Sequence, residues 1–198
     1  MNDTNANVNG IHSNPAYACW LNYSPILEPI AEEYKSLCQF IHANESSAIQ
    51  KTAAEELTFG LASMLGIQPG GLHGVKGITL AISEETDLIT PDEKAQLLPE
   101  GFMIKHLDQG FVIAGKDDRG ILYGVFAFLR LLQLKTPIQA MSRVENPASM
   151  LRMVNHWDNI DGSVERGYAG RSIFFQNNQI SQDMNRIRDY ARLLASVG

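Results

Sequence analysis

Between residues 36 and 134 the apolar residues recur with two periods, and those periods predict the elements. Leu37, Phe40 and Ile41 form a short apolar run in "SLCQFIHA", which reads as a strand over 36–43. Ile49, Ala53, Leu57, Leu61 and Leu65 then repeat every fourth residue, the spacing of one helix face. Ser46 or Ser47 stands where an N-cap belongs, and Gly66 where the helix should stop. After the turn cluster "PGGLHG", "KGITLAI" predicts a strand, and "TPDEKAQLLPEG" a polar connection with one helical turn. "EGFMIKHLDQGFVIAGKD" predicts a hairpin with Asp108, Gln109 and Gly110 in its turn. A second helix is predicted over "DDRGILYGVFAFLRLLQL". It is capped by Asp117 or Asp118, with Leu122, Val125, Phe126, Leu129 and Leu132 on its apolar face.

The order strand, helix, strand, hairpin, helix describes an α/β layer with a helix pair on one small sheet. Upstream, residues 1–15 form an Asn-rich polar tail expected to fray, and Trp20, Tyr23 and Ile26 are expected to pack onto the elements that come after them in the chain. Downstream, Pro137 and Pro147 bracket a polar stretch, so a domain boundary is placed there. Beyond it "MLRMVNHW" predicts a strand, residues 155–175 a long loop, and "ISQDMNRIRDYARLLASVG" an amphipathic helix carrying Ile187, Tyr190, Ala191 and Leu194. That makes one βα unit. Its strand needs parallel neighbours, so the unit is expected to be incomplete alone. The expected division is a tail at 1–15, an α/β domain at 16–140, a linker at 141–149 and the βα unit at 150–198.

Composition narrows the function. Hydrophobic residues at 44% and charged residues at 19% are ordinary for a globular protein. A net charge of -6 with no basic block argues against nucleic acid. No apolar run reaches the length of a membrane span, and the polar N-terminus lacks the pattern of a signal peptide. A cytoplasmic location is therefore expected, with secretion or a periplasmic location after signal removal as the alternative. Cys19 and Cys38 show no CxxC spacing and read as two free thiols. "GLHGVKG" is not a phosphate loop, and "LYGVFAF" has no dinucleotide fingerprint. The five histidines, His12, His42, His73, His106 and His156, show no HExxH spacing, and Ser83, Ser142 and Ser163 lie outside any GxSxG frame. No metal or cofactor is expected.

The remaining chemistry is concentrated in "NHWDNIDGSVERGYAGRSIFF" at 155–175. Trp157 offers a flat apolar face of the kind that stacks on a sugar ring. Asp158, Asn159, Asp161 and Glu165 can exchange hydrogen bonds with hydroxyls, and Arg166 or Arg171 can grip a carboxylate. Gly162, Gly167 and Gly170 permit a tight path. The competing reading pairs these charges with one another and sets Trp157 into the core, with Tyr168 open to either. Taken residue by residue, that packing reading has a slight advantage.

"RMVNHWDNIDGSVERGYAGRSIFF", with its NHWDN…DG…ERGYAG…SIF order, resembles the segment that opens the catalytic barrel of glycoside hydrolase family 67, the α-glucuronidases. "CWLNY" and "DDRGILYGVFAFLRLLQL" resemble that family's N-terminal domain, which is hexosaminidase-like, or zincin-like, in shape. The resemblance runs over about residues 16–198. It implies a hexosaminidase-like α/β domain followed by the first βα unit of an incomplete TIM (β/α)8 barrel. It also implies inverting hydrolysis of the α-1,2 bond that links (4-O-methyl)glucuronic acid to xylooligosaccharides, in a parent protein that forms a homodimer.

Inversion needs a general acid and a water-activating base about 6.5–9.5 Å apart. In the family these come from later barrel strands, so no catalytic residue is expected in this chain. What carries over is a sugar-binding set: Trp157 walling the pocket, Glu165 touching the glucuronyl group, and Asp158, Asn159 and Arg166 lining or bracing the loop. The chain is thus expected to be an inactive fragment of an enzyme. Two alternatives stand beside this: a non-catalytic carbohydrate-binding or assembly module, and an enzyme of another hexosaminidase-like family that shares only the accessory domain.

Overall fold

The computed structural model describes residues 22–70, 76–166, 168 and 170–198. The expected tail, Cys19, Trp20 and most of the "PGGLHG" turn lie outside the described residues. The chain divides into two compact units, Met1–Pro147 and Ala148–Gly198.

In the first unit the elements run α1 (Ile30–Leu37), β1 (Phe40–Ala43), α2 (Ala48–Leu65), β2 (Gly77–Ile82), α3 (Pro91–Lys94), β3 (Phe102–Leu107), β4 (Gly110–Gly115), α4 (Asp118–Gln133) and β5 (Arg143–Glu145). One mixed sheet has the order β1-β2-β4-β3-β5. β1, β2 and β4 are parallel, and β3 runs antiparallel to both β4 and β5.

β4 sits in the centre and is buried at every position, which accounts for its unbroken apolar run. Its alternate side chains serve two cores. Phe111 and Ile113 join Leu57, Leu61, Phe128, Leu129 and Leu132 from the helices. Val112 and Ala114 join Met103, with Ile89 and Leu97 from the connection between β2 and β3, on the other face.

Local chemistry sets the ends of these elements. The Ser47 hydroxyl accepts the Gln50 N–H at 3.1 Å, and Gly66 ends α2 at φ 67°, where a residue without Cβ stops a helix at least cost. The Asp117 carboxylate accepts the Gly120 N–H at 3.0 Å to open α4. Thr90 and Glu93 close a capping box over α3, with Pro91 in its first turn. Gly110, at φ 131°, comes just after the hairpin turn, and a Cβ there would strike the Gly77 carbonyl.

Three expectations are corrected. The strand predicted over 36–43 is confined to Phe40–Ala43, because Ser36 and Leu37 end helix α1. That helix buries Ala31, Tyr34 and Leu37 at helical spacing, but it is only eight residues long and runs directly into the apolar run of β1. The stretch read as a polar connector holds an edge strand, Arg143–Glu145, paired to β3, and its Ile138 and Met141 are buried. "MLRMVNHW" forms no strand: residues 150–157 carry no β pairing. A strand exists only where a neighbour takes its backbone groups, and among the described residues of 148–198 no strand lies beside this segment.

The second unit consists of the loop from 155 onward, a short hairpin of β6 (Phe175–Gln176) and β7 (Gln179–Ile180), and α5 (Met184–Val197). The helix matches the expected segment, but none of its residues is buried. Ala191 and Leu194 face open surface rather than a core.

Candidate functional site

The cluster builds a hairpin of its own. Asn159 N–H donates to the Ser163 carbonyl at 2.9 Å, Gly162 N–H to the Asn159 carbonyl at 2.9 Å, and Glu165 N–H to the Trp157 carbonyl at 3.0 Å. Asp158 bridges Val164 between them. A three-residue loop, Ile160–Asp161–Gly162, therefore joins two short arms, with Gly162 at φ 90°. This is the usual place for a glycine in a three-residue hairpin loop. A Cβ on Gly162 would lie 2.8 Å from the Phe175 carbonyl.

This register sorts the candidate residues. Side chains alternate along each arm, and directly opposed residues share a face. Trp157 and Glu165 are opposed and both are exposed, Trp157 at 54%. Asp158 lies on the other face, with its side chain only 10% exposed. Trp157 is thus a presented ring rather than a core plug, and the expectation that it closes a core is corrected. Glu165 and Arg166 are exposed, and neither makes an ion pair among the described residues.

Asn159 spends its side chain inside the hairpin, its Nδ2 donating to Ser163 Oγ at 2.9 Å. Asp161 does likewise, accepting from the Ser163 hydroxyl at 2.7 Å and its N–H at 2.8 Å. Those two bonds, with help from the charge on Arg171, hold the Asp161 carboxyl below the usual carboxylate range. Asp161 and Asn159 are bracing groups. Tyr168, at 90% exposure, stands in solvent, and Gly167 lies outside the described residues.

The structure adds residues that the motif alone does not single out. His156 Nε2 lies 2.8 Å from the Tyr190 hydroxyl of α5. Its ring meets Phe174 edge-on at 4.9 Å and Tyr190 at 5.3 Å between centroids. The available signal was its position two residues before Asp158, on the same arm of a hairpin announced by Asn-Ile-Asp-Gly. The turn of the β6–β7 hairpin, Asn177 and Asn178, has positive φ at both residues, as Asn tolerates in tight hairpins.

Among the described residues two hollows stand out. One, of about 320 Å³, is lined by Arg171, Ser172, Gln176, Ser181, Asp183 and Arg186. None of the five candidate sugar-binding residues lines it. The other, of about 670 Å³, lies in the first unit at the start of α4. Its charges are already satisfied: Lys116 pairs with Glu84 at 2.8 Å, Arg119 pairs with Glu100, and Asp117 holds the Glu100 and Gly120 amides. The loop hairpin offers an aromatic face and a carboxylate together, in opposed Trp157 and Glu165.

Comparison with known proteins agrees on one family. The model described as "Glycosyl hydrolase family 67 N-terminus" matches residues 19–128, and "Glycosyl hydrolase family 67 middle domain" matches residues 131–198. "Probable alpha-glucuronidase A" of Aspergillus niger is 33% identical over 192 residues, which are 91% of this chain and 22% of that protein. The protein of the same name from Aspergillus fumigatus is 44% identical over 163 residues, 79% of this chain and 19% of that protein. "Alpha-glucuronidase A" of Aspergillus tubingensis is 32% identical over 192 residues, again 91% and 22%. The chain therefore spans about a fifth of the length of the curated relatives it matches. Among solved structures, a GH138 enzyme targeting pectin rhamnogalacturonan II overlaps 56% of this chain and 15% of its own, at 16% identity and a TM-score of 0.42. That likeness is too slight to speak to the fold.

Proposed function

The chain belongs to glycoside hydrolase family 67, and we propose that it supplies the first sugar-facing loop of an α-glucuronidase. The observation that carries this is the register of the 157–165 hairpin, which presents Trp157 and Glu165 side by side on an open face. Trp157 stacks on a sugar ring, Glu165 accepts hydrogen bonds from its hydroxyls, and Arg166 stands next to them. Asp158 and Asn159 brace the loop from within.

The substrate class is a glucuronic-acid-substituted xylooligosaccharide, cleaved with inversion at its α-1,2 bond. Inversion requires an acid and a base flanking a water molecule. On this reading Glu165 binds the sugar rather than cleaving its bond, and the catalytic pair belongs to other residues of the whole enzyme. In the same reading, the first unit, edge strand β5 included, is the hexosaminidase-like accessory domain, and residues 150–198 are the opening βα unit of a (β/α)8 barrel. Segment 150–156, which joins no β ladder among the described residues, becomes a strand once parallel neighbours take its N–H and C=O groups.

The test is a fluorescence titration of the 198-residue chain with a glucuronic-acid-substituted xylotriose. Trp157→Phe controls for Trp20, the other tryptophan. The expected result is a saturable change in emission that Trp157→Phe abolishes, without release of glucuronate. An unresponsive Trp157 sinks the sugar-facing assignment, and measurable release sinks the placement of the catalytic pair.

A further inference from the structure

We propose that His156 is the positioning residue of the sugar-facing hairpin, held in a single tautomer between Asp158 and Tyr190 so that α5 fixes where Trp157 stands. This rests on the reading that Trp157 and Glu165 meet the sugar.

Three observations converge on the imidazole. Its Nδ1 faces the Asp158 carboxylate at 3.9 Å. Its Nε2 lies 2.8 Å from the Tyr190 hydroxyl. Phe174 meets the ring edge-on at 4.9 Å, and Phe174 and Tyr190 themselves meet at 6.2 Å.

A carboxylate beside Nδ1 favours the N–H at that nitrogen, since the proton then lies between the two and the opposite tautomer would set lone pair against negative charge. That choice leaves Nε2 with its lone pair, and the Tyr190 O–H is positioned to donate to it. The two edge-on ring contacts oppose rotation of the imidazole out of this line. Asp158 thus acts on Nδ1 as a charge across 3.9 Å rather than as a hydrogen-bond partner. The 2.8 Å contact of His156 with Tyr190 joins the hairpin to the helix, and His156 is covalently next to Trp157.

The site is changed in two ways. Asp158, turned away from solvent, acts through His156 rather than on the sugar. Tyr190, which helical spacing alone would place among core residues, spends its hydroxyl on aiming the loop. The tip of the hairpin is tied down by the Ser172 N–H on the Gly162 carbonyl at 3.0 Å and by Arg171 on the Asp161 carbonyl at 3.4 Å. The arm that carries Trp157 can still swing about that tip unless its base is held. The His156 link removes that freedom before the sugar arrives, and a site already in its binding arrangement loses less entropy on binding.

The experiment uses the 198-residue chain labelled with ¹⁵N, with the ring nitrogens of His156 assigned by their loss in His156→Gln. Above neutral pH the expected spectrum is that of the Nδ1–H tautomer, against the Nε2–H form that free imidazole side chains favour. Tyr190→Phe keeps both ring contacts and removes the hydroxyl; Asp158→Asn removes the charge. Each is expected to move the ring signals toward the free-side-chain values. A wild-type spectrum of the Nε2–H form, or no movement in either variant, overturns the tether.

Sugar affinity by Trp157 fluorescence is the second readout. His156→Ala is expected to weaken binding about tenfold with circular dichroism unchanged, the scale seen when a group that orients a ligand side chain is removed. His156→Gln, whose amide oxygen can accept from Tyr190 where Nε2 did, is expected to restore most of the loss. Equal affinity for His156→Ala and wild type overturns the positioning role. Wild type without any sugar response overturns the functional reading instead, and the ring spectra then decide the tether alone.

Discussion

In the sheet unit Phe128 has no exposed surface, and its ring meets Phe111 at 5.0 Å between centroids. In residues 148–198 no large hydrophobic side chain is buried among the described residues, and Met150, Leu151, Met153 and Val154 all stand exposed. The first unit is ordered by what it hides. The second is ordered by hydrogen bonds and ring edges. Such contacts can fix the path of a loop, but each contributes only about 1 kcal/mol net, because water competes for the same groups. The contrast shows where the chain keeps its stability.

The largest blow to the contrast should come from Phe128→Ala. Truncating a fully enclosed aromatic leaves a cavity between α4 and β4, and the expected loss is about 3–5 kcal/mol by denaturant unfolding. The matching truncation in the second unit, Leu194→Ala, should cost about 0.5 kcal/mol or less, since that side chain already meets water. Similar losses for the two would erase the distinction.

Next comes Asp117→Ala. It frees two amides at once, Gly120 N–H at 3.0 Å and Glu100 N–H at 2.8 Å, and should cost about 1–2 kcal/mol. A loss no greater than that of a surface substitution would show that water replaces the cap.

Burial also protects Cys38, whose thiol is pushed up to about 12 by desolvation. Its alkylation in the native protein should be far slower than in denaturant, with a rate that tracks opening of the first core. Fast labelling under native conditions would contradict a closed core.

The smallest effect belongs to Lys105 and Glu93, a partly exposed pair at 2.8 Å. The bond from the Lys105 ammonium, aided by the Thr90 amide, holds the Glu93 carboxyl below its ordinary value. A folded value below the unfolded one stabilises above the unfolded value, and the contribution is lost as pH falls through the folded value. Lys105→Met should therefore cost about 0.5 kcal/mol at neutral pH after solvent screening. The gap from wild type should close in acid, and a gap that widened there would reverse the sign of the argument.

Legibility in the sequence divided along the same line. α2, α4 and the β3–β4 hairpin were readable because long periods and capping residues agreed with one another, the structure choosing Ser47 over Ser46 and Asp117 over Asp118. α1 was not, although Ile30, Ala31, Tyr34 and Leu37 recur at helical spacing, because the helix has only eight residues and the apolar run of β1 follows it at once. Residues 150–157 show the opposite failure. Their apolar run was real, but a strand is a relation between segments, and among the described residues of 148–198 no partner lies alongside 150–156, while Trp157 at the end is met by Glu165. At the site the residue types were readable and their division was not. Trp157 and Asp158 look equivalent in a string, and only the hairpin register set by Gly162 sends one to solvent and the other toward His156.

The most direct test is amide hydrogen exchange across the 198-residue chain, with and without a glucuronic-acid-substituted xylotriose. The expected record has β4 and α4 slow in both states, and 150–157 fast without sugar. On sugar addition the 157–165 amides should slow while the first unit stays unchanged. Amides at 150–157 as slow as those of β4, or a 157–165 hairpin indifferent to saturating sugar, would contradict the account.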